Sequence, residues 1–307
     1  MTPTEAGSTW LGSVMQQVKG VQAPRNVAIR QSRPPPKETC GTPDGRRSTS
    51  DPAACCVGRT VSGEFPVSLR SKLDKWLYPR VGDRWDILRF REEALKLIKP
   101  GMTVLDLGAG RGALEELRFQ GYGAQIWGAD IDPVVMINPY LDRAFVTTVK
   151  ALDGVPDHSV DLVLSCSVLE HVAEPEALLS ELHRVLKPGG VFLAKTPNKF
   201  HYMPLVASLT PIWFHKLYNR WRGRDEVDTF PTLYRFNSRR ATYRLAATTG
   251  FTVEQLWTLE SRPEYLRLTP PTYIAGWLYE RMVNSLGMTD LRCVLFMQLQ
   301  AKDGFQL

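Results

Sequence analysis

Short apolar runs alternate with amphipathic stretches from residue 103 to residue 300. Each run has the length of a buried strand, and the stretches between them repeat at helical spacing. The predicted strands are Thr103–Leu107, Ala124–Ala129, Phe145–Val149, Val160–Ser165, Val191–Thr196, Phe251–Leu259 and Arg292–Gln300. The predicted helices are Ala113–Gln120, one after Pro175, one from Ser238 to Gly250 and one after Pro271. Strands and helices in this alternation predict an α/β fold, with a parallel sheet covered on both faces.

Three segments do not show this alternation of strands and helices. Residues 63–100 carry apolar side chains at helical spacing, with a break at Pro79, and predict a helical segment that ends at Pro100-Gly101. Residues 198–237 are dense in aromatic and basic side chains and predict an insertion after the fifth strand. Residues 1–62 are rich in Pro, Gly, Ser, Thr and Arg, without a sustained hydrophobic period, and predict a disordered tail. The folded domain is therefore expected at residues 63–302. A turn is predicted at Lys187–Gly190, before the fifth strand.

Composition narrows the class of protein. The chain has 307 residues, 43% of them apolar, and no apolar run of the roughly 18 residues that a membrane-spanning helix needs. The net charge of +6 comes mostly from the tail, which argues against a nucleic-acid partner. The start of the chain lacks the pattern of a secretory signal, and no Cys-x-x-Cys pair suggests zinc, so we expect a cytoplasmic protein.

A glycine-rich turn follows the first predicted strand. Asp106 precedes Gly108, Gly110 and Gly112, and glycine at such positions lets the backbone approach a ligand closely. The glycine spacing alone also fits a dinucleotide-binding turn. A pyrophosphate gains nothing from the carboxylate of Asp106, whereas a ligand with an ammonium group and a sulfonium does. Asp130 ends the second predicted strand, where a carboxylate can accept hydrogen bonds from ribose hydroxyls.

These motifs resemble the class I S-adenosylmethionine-dependent methyltransferases. The Asp-x-Gly-x-Gly-x-Gly turn matches the first motif of that superfamily, and Leu169-Glu170-His171 resembles its small-molecule methyltransferases, such as the O-methyltransferases of the ubiquinone pathway. The resemblance covers about a hundred residues. It implies a Rossmann-like, seven-stranded sheet whose last strand is antiparallel, and S-adenosylmethionine as cofactor.

The resemblance also implies where the cofactor is held. The implied cofactor-binding residues are Asp106, Gly108, Gly110, Gly112, Asp130, Ile131, Lys150, Ala151 and Ser165. The family commonly has an acidic residue after the third strand, facing the adenine, where this chain has Val149. We therefore expect backbone groups near Lys150 and Ala151 to receive the adenine.

Two histidines are candidates for the catalytic base. His171 follows the fourth predicted strand and His201 follows the fifth, and both belong to the sheet edge where parallel α/β folds place ligands. The alternative for His171 is a structural role in its loop. Glu170, His201, Tyr202 and Arg235 are the candidates for acceptor contact. Some relatives hold a metal with Glu-x-x-Glu-His, but Ser167 stands at the first of these positions, so we expect no metal site.

The sequence predicts methyl transfer to a small-molecule, glycan-like or lipid-linked acceptor, on oxygen. The aromatic and basic insertion, with Trp213, Phe214, Lys216 and Trp221, also suits peripheral contact with a membrane. Two alternatives from other classes are an NAD-dependent oxidoreductase and a non-catalytic nucleoside-binding scaffold. Binding of NAD would identify the first, and cofactor binding without turnover the second.

Overall fold

The computed structural model of the protein describes residues 67–148, 151–209 and 232–304. The predicted tail at residues 1–62, Lys150, and residues 210–231 of the predicted insertion lie outside the described residues. Among the residues that the structure describes, none of the helices combines the length and apolar character that a bilayer-spanning segment requires.

The described chain contains six α-helices and seven strands. The helices are α1 (Val67–Leu77), α2 (Trp85–Leu97), α3 (Pro175–Val185), α4 (Tyr202–Leu209), α5 (Arg239–Thr248) and α6 (Pro270–Ser285). The strands are β1 (Thr103–Leu107), β2 (Gln125–Asp130), β3 (Arg143–Val146), β4 (Val160–Cys166), β5 (Leu186–Pro197), β6 (Phe251–Leu259) and β7 (Val294–Ala301). Short 3₁₀ helices lie at Glu115–Leu117, Pro133–Ile137, Leu169–His171 and Thr289–Leu291.

All seven strands form one sheet in the order β3-β2-β1-β4-β5-β7-β6. The pairs from β3 to β5 are parallel, and β7 is antiparallel to both of its neighbours. The predicted seven-stranded, mostly parallel sheet is therefore confirmed, including the reversed last strand. Since β6 runs in the same direction as β5, the carboxyl ends of β1, β4, β5 and β6 share one edge with the start of β7. We call this the carboxyl edge.

The two faces of the sheet carry separate cores because strand side chains alternate between them. On one face, Leu105 and Leu107 pack with the apolar sides of α3 and α5. On the other, Val104 and Leu164 pack with Phe90 and Ala94 of α2. Helix α2 therefore covers the face on which Asp106, two residues after Val104, also lies.

The predicted helix Ala113–Gln120 is wrong, because only the short 3₁₀ helix Glu115–Leu117 forms there. Arg118 donates from Nε and Nη2 to the Gly112 carbonyl, each at 3.1 Å. Arg91 of α2 donates to the carbonyls of Glu116 and Arg118, both at 2.8 Å. Two guanidinium groups thus take carbonyl oxygens that an α-helix would use for its own hydrogen bonds.

Two further boundaries differ from the prediction. The strand expected at Phe145–Val149 begins earlier, at Arg143, where the preceding Asp142 exchanges two hydrogen bonds of 2.7 Å with Ile126 and fixes the pairing with β2. The turn expected at Lys187–Gly190 lies within β5, which pairs with β4 at Leu186 and again from Val191. The residues between those two pairings bulge out, which gives the reversal without ending the strand.

Candidate functional site

The glycine-rich turn after β1 tolerates no side chain at two of its positions. Gly108 has φ +84°, and a Cβ atom there would overlap Cγ2 of Val168. Gly112 has φ +72°, and a Cβ atom would lie 2.5 Å from Oδ1 of Asn138. The Asn138 amide also donates to the carbonyls of Ala109 at 3.2 Å and Gly110 at 3.1 Å. Glycine at both positions therefore lets the turn form without strain or overlap, and the turn is fixed against the segment after β2.

Asp106 lies in β1 next to this turn. Burial raises the pKa of its carboxyl to about 7, and repulsion from Asp130 adds to the shift. Within residues 67–148, 151–209 and 232–304, no side chain or backbone N–H donates a hydrogen bond to this carboxyl. Asp106 is half-buried, and such a carboxyl without a donor is stabilised when a cation binds beside it, so this position suits a ligand with a positive charge.

Asp130 closes the other side of the turn at the end of β2. Its Oδ2 accepts the backbone N–H of Gly110 at 2.8 Å, and its Oδ1 accepts that of Asp132 at 2.9 Å. A carboxylate has about four acceptor positions, so each oxygen keeps one for a ligand hydroxyl. Ile131 follows with its side chain 47% exposed. This combination suits a ribose with a flat apolar group beside it.

Two further candidates for cofactor binding, Ala151 and Ser165, lie in different surroundings. Ala151 uses both its backbone groups in a turn with Thr148, at 3.0 Å to the hydroxyl and 3.1 Å to the N–H. The Ala151 N–H, which was expected to receive the adenine, therefore already donates a hydrogen bond within this turn. Ser165 is fully buried in β4, beside Leu107 of β1, and its hydroxyl has no hydrogen-bond partner among the described residues.

The loop after β4 carries Glu170 and His171 to the carboxyl edge. Glu170 is buried, which raises the pKa of its carboxyl, and its Oε2 accepts the Thr196 hydroxyl at 3.0 Å. The Glu170 carbonyl also accepts the backbone N–H groups of Leu233 at 2.7 Å and Tyr234 at 3.2 Å. Glu170 thus fixes the loop to β5 and to the chain that leaves the insertion.

His171 ends the 3₁₀ helix Leu169–His171 and is partly exposed. Its backbone N–H donates to the carbonyl of Val168 at 3.0 Å, and Val168 packs on Gly108. The candidate base therefore lies in the same contact region as the glycine-rich turn. Arg235 is exposed nearby and donates to the Ala173 carbonyl at 2.7 Å.

His201 does not fit the role predicted for it, because it is only 1% exposed. Burial lowers the pKa of its ring to about 3. Its Nδ1 accepts the backbone N–H of Met203 at 3.4 Å, so the neutral ring carries its proton on Nε2, which lies 3.4 Å from Oε2 of Glu260. Tyr202 packs on His201 with ring centroids 4.0 Å apart. Both residues were named as candidates for acceptor contact, and they belong to one aromatic cluster in which His201 is buried and Tyr202 is partly exposed.

Glu260 and Cys293 join His201 in a group whose candidate ligand atoms lie within 4.8 Å of one another. Burial raises the pKa of Glu260 to about 8, and its Oε2 accepts the backbone N–H of Cys293 at 2.7 Å. The neutral ring of His201, whose Nε2 has no hydrogen-bond partner among the described residues, and the thiol of Cys293, whose pKa burial also raises, form an uncharged group at neutral pH. A metal there would require the Cys293 thiol to lose its proton and the neutral His201 ring to adopt the other tautomer, with Nε2 unprotonated.

A buried ion pair at this edge was not predicted from the sequence. Lys195 of β5 is 4% exposed and pairs with Asp86 at the start of α2, and its Nζ donates to the Ser167 hydroxyl at 3.0 Å. Burial opposes the charge of Lys195, but Cys166 and Asp86 raise its pKa above the usual value. Ser167 adopts φ +60°, rare for a residue with a side chain. A lysine inside an apolar strand was the available signal.

The fold and this site together define a class I S-adenosylmethionine-dependent methyltransferase domain. A half-buried acid without a donor, a turn with no room for a Cβ atom at Gly108 and a second acid at the end of β2 fit the ammonium, the backbone approach and the ribose of that cofactor. A three-residue 3₁₀ helix after the turn offers little of the helix dipole that favours a pyrophosphate.

Comparison with known proteins agrees with this class. A family model described as a methyltransferase domain matches residues 82–256, more than half of the chain. The chain belongs to this family, and its cofactor is S-adenosylmethionine. The family excludes the NAD-dependent oxidoreductase considered above.

Individual relatives match over shorter stretches. A protein of Mycolicibacterium smegmatis, named as a probable S-adenosylmethionine-dependent methyltransferase, is 39% identical over 109 residues, which are 31% of this chain and 42% of that protein. A ubiquinone biosynthesis O-methyltransferase of Cereibacter sphaeroides is 34% identical over 107 residues, with 32% and 42% covered. The chain thus spans less than half the length of these relatives. A cyclopropane synthase of Mycobacterium tuberculosis superposes with a TM-score of 0.45 and 17% identity, covering 71% of this chain and 85% of that one.

Proposed function

We propose that this protein transfers the methyl group of S-adenosylmethionine to a hydroxyl oxygen of a small-molecule acceptor at the carboxyl edge. The observation that carries the proposal is the half-buried Asp106 carboxyl, which has no donor among the described residues and lies beside the turn at Gly108. The cofactor supplies an electrophilic methyl group on a sulfonium, together with an ammonium group that Asp106 would pair with.

The remaining cofactor contacts follow from the same edge. Asp130 would bind the ribose hydroxyls with the acceptor positions that its two backbone hydrogen bonds leave over. Ile131 would cover the adenine with its exposed side chain. Because Gly108 and Gly110 have no side chains, the backbone of the turn can approach the amino-acid part of the cofactor directly.

On the acceptor side, we assign His171 as the general base. It is partly exposed and joined through Val168 to the glycine-rich turn. It would accept the proton of the acceptor hydroxyl as the oxygen attacks, a contribution of about 10²–10⁴-fold. Glu170 would hold the loop in position through Thr196, and Arg235 would lie at the mouth of the acceptor site. His201 has no part in this proposal.

A phenolic acceptor is the class that we favour. One matching relative is named a ubiquinone biosynthesis O-methyltransferase. In this chain, aromatic side chains are frequent in residues 198–237. Flat aromatic faces bind a phenol ring well. Glycan-like and lipid-linked alcohols are the competing acceptors, and a turnover assay distinguishes them.

Two measurements test the proposal. Calorimetry should show micromolar binding of S-adenosylmethionine and S-adenosylhomocysteine, none of NAD, and much weaker binding of the first two in Asp106→Asn. Turnover with a panel of phenols, sugars and lipid alcohols should then be lower by about 10²-fold or more in His171→Ala at unchanged cofactor affinity.

His158→Ala is the matched control for the histidine. His158 contacts the Leu186 carbonyl at the opposite edge of the sheet, so its loss should leave turnover intact. If His171→Ala turns over normally, the base assignment fails. If the wild-type protein binds the cofactor but methylates no acceptor of the panel, a binding scaffold replaces the enzyme.

A further inference from the structure

The end of β5 holds the loop after β4 from both faces of the sheet. Lys195 and Thr196 are consecutive in this strand, so their side chains point to opposite faces. Lys195 Nζ donates to the Ser167 hydroxyl at 3.0 Å, at the start of the loop. The Thr196 hydroxyl donates to Oε2 of Glu170 at 3.0 Å, further along it. The two contacts enclose the residues that lead to His171, so the end of β5 determines where this loop lies.

Ser167 is the strained position of the loop. Its φ of +60° lies in the left-handed region, where a residue with a side chain persists only if its surroundings hold it there. Lys195 provides two such contacts. Its carbonyl accepts the Ser167 backbone N–H at 2.8 Å, and its ammonium group donates to the hydroxyl of the same residue. Any residue at position 195 offers the carbonyl, so only the second contact requires a lysine.

Asp86 fixes the ammonium group itself. It lies in the first turn of α2 and pairs with Lys195 Nζ inside the protein. A buried ammonium group has little freedom to move, because leaving its carboxylate would leave two uncompensated charges. The Ser167 hydroxyl therefore meets its donor at a fixed place, and α2 is connected to the loop through Lys195.

The residues after Ser167 extend this connection to the site. Val168 lies directly on Gly108, since a Cβ atom added to that glycine would overlap Cγ2 of Val168. The Val168 carbonyl accepts the backbone N–H of His171 at 3.0 Å. If Ser167 relaxed to a negative φ, the chain would leave it in another direction and both contacts would shift. The conformation of Ser167 thus sets where His171 lies relative to the glycine-rich turn.

We propose that Lys195 is a positioning residue for methyl transfer, which holds Ser167 in its left-handed conformation and so fixes His171 relative to the glycine-rich turn. This inference rests on the proposed function, in which His171 is the base. A displacement of about 1 Å in a reacting geometry can cost about 10²-fold in rate. Loss of the Lys195 contact should therefore lower kcat. The turn keeps its own contacts with Asn138 and Asp130, so the cofactor should still bind.

Steady-state kinetics of the full chain, with the acceptor that the wild type turns over best, test the proposal. Ser167→Ala removes the hydroxyl, and Asp86→Leu with Lys195→Met removes the ammonium group without leaving a buried charge unpaired. Each change should lower kcat about tenfold or more, at nearly unchanged affinity for S-adenosylmethionine. Ser167→Asn should recover most of the loss, because asparagine tolerates the left-handed conformation and offers an amide oxygen to Nζ.

Ser159→Ala is the matched control for the hydroxyl. The Ser159 hydroxyl donates to the Pro156 carbonyl at 2.7 Å, at the opposite edge of the sheet, so its loss should leave kcat intact. A double-mutant cycle then separates positioning from a general loss of structure. If Ser167 acts through His171, Ser167→Ala should add little to the loss that His171→Ala already causes. Losses that multiply would overturn the proposal.

Amide hydrogen exchange measures the loop without turnover. The backbone N–H groups of Ser167 and His171 should exchange faster in Ser167→Ala than in the wild type or in Ser159→Ala. Unchanged exchange would overturn the proposal. If the wild type is active and Ser167→Ala is equally active, the role of Lys195 fails alone. If the wild type methylates no acceptor, the proposed function fails and the role of Lys195 in methyl transfer fails with it.

Discussion

Cofactor binding should depend on pH through Asp106. The pKa of this carboxyl is about 7, because burial disfavours its ionised form and Asp130 repels it. An ammonium group pairs with the carboxylate and not with the neutral acid. Below pH 7, an increasing share of the protein must therefore release a proton before the cofactor can bind.

The magnitude follows from the pKa. At pH 6 about one carboxyl in eleven is ionised, so the apparent Kd for S-adenosylmethionine should be about tenfold weaker than at high pH. At pH 5 the loss should be about a hundredfold, and above pH 8 the Kd should level off. Each pH unit on the sloping part corresponds to about 1.4 kcal/mol of binding free energy.

Calorimetry between pH 5 and pH 8.5, in buffers of different ionisation enthalpy, measures both the Kd and the protons released. Adenosine has no ammonium group and should bind without this slope. Asp106→Asn should bind weakly at every pH, whereas Asp132→Asn, which alters the cap of the 3₁₀ helix Pro133–Ile137, should keep the slope. A flat Kd for the wild type, or a slope that survives in Asp106→Asn, would refute the assignment.

Three further predictions concern stability and the turn. Gly108→Ala should weaken cofactor binding by about 1–3 kcal/mol through strain and overlap, whereas Gly121→Ala, at φ +89° with open space around it, should leave calorimetric binding unchanged. Burial raises the pKa of Glu260 to about 8, so the stability from its neutral form is complete below about pH 4.5 and is lost as pH rises through 8. Thermal unfolding from pH 5 to 9 should show this loss in the wild type and a flatter profile in Glu260→Gln. Asp86→Leu leaves the Lys195 charge buried and should cost about 3–5 kcal/mol in urea unfolding, most of which Asp86→Leu with Lys195→Met should recover. A double variant as unstable as the single one would contradict that account.

Much of the fold could be predicted because local signals coincide with tertiary structure. Strands β1 and β6 have the predicted bounds, since each apolar run follows a glycine turn, at Gly101 and Gly250. The predicted helix at Ala113–Gln120 failed for a reason outside its own sequence. Arg91, on a helix that precedes β1, takes two of the carbonyls that this helix needed.

The residues of the site could likewise be predicted only where the signal is local in the sequence. Asp106 and Gly108 could be found because their spacing along the chain defines the turn. Lys195 and Asp86 are far apart in sequence, and so are His201 and Glu260, so neither pair leaves a local pattern. The burial of His201 was not visible either, and it is what turns His201 from a candidate base into a neutral, enclosed ring.

The position of β7 has a consequence for synthesis on the ribosome. Of the described strands, β7 is the last along the chain, yet it lies between β5 and β6 in the sheet. The parallel strands from β1 to β5 can pair as soon as they emerge. Until residues 294–301 have left the exit tunnel, however, β6 has no neighbour and β5 presents an open edge. The nascent protein should therefore pass through a stage that can bind cofactor but remains prone to aggregation, and a stop codon shortly before Val294 would trap it there.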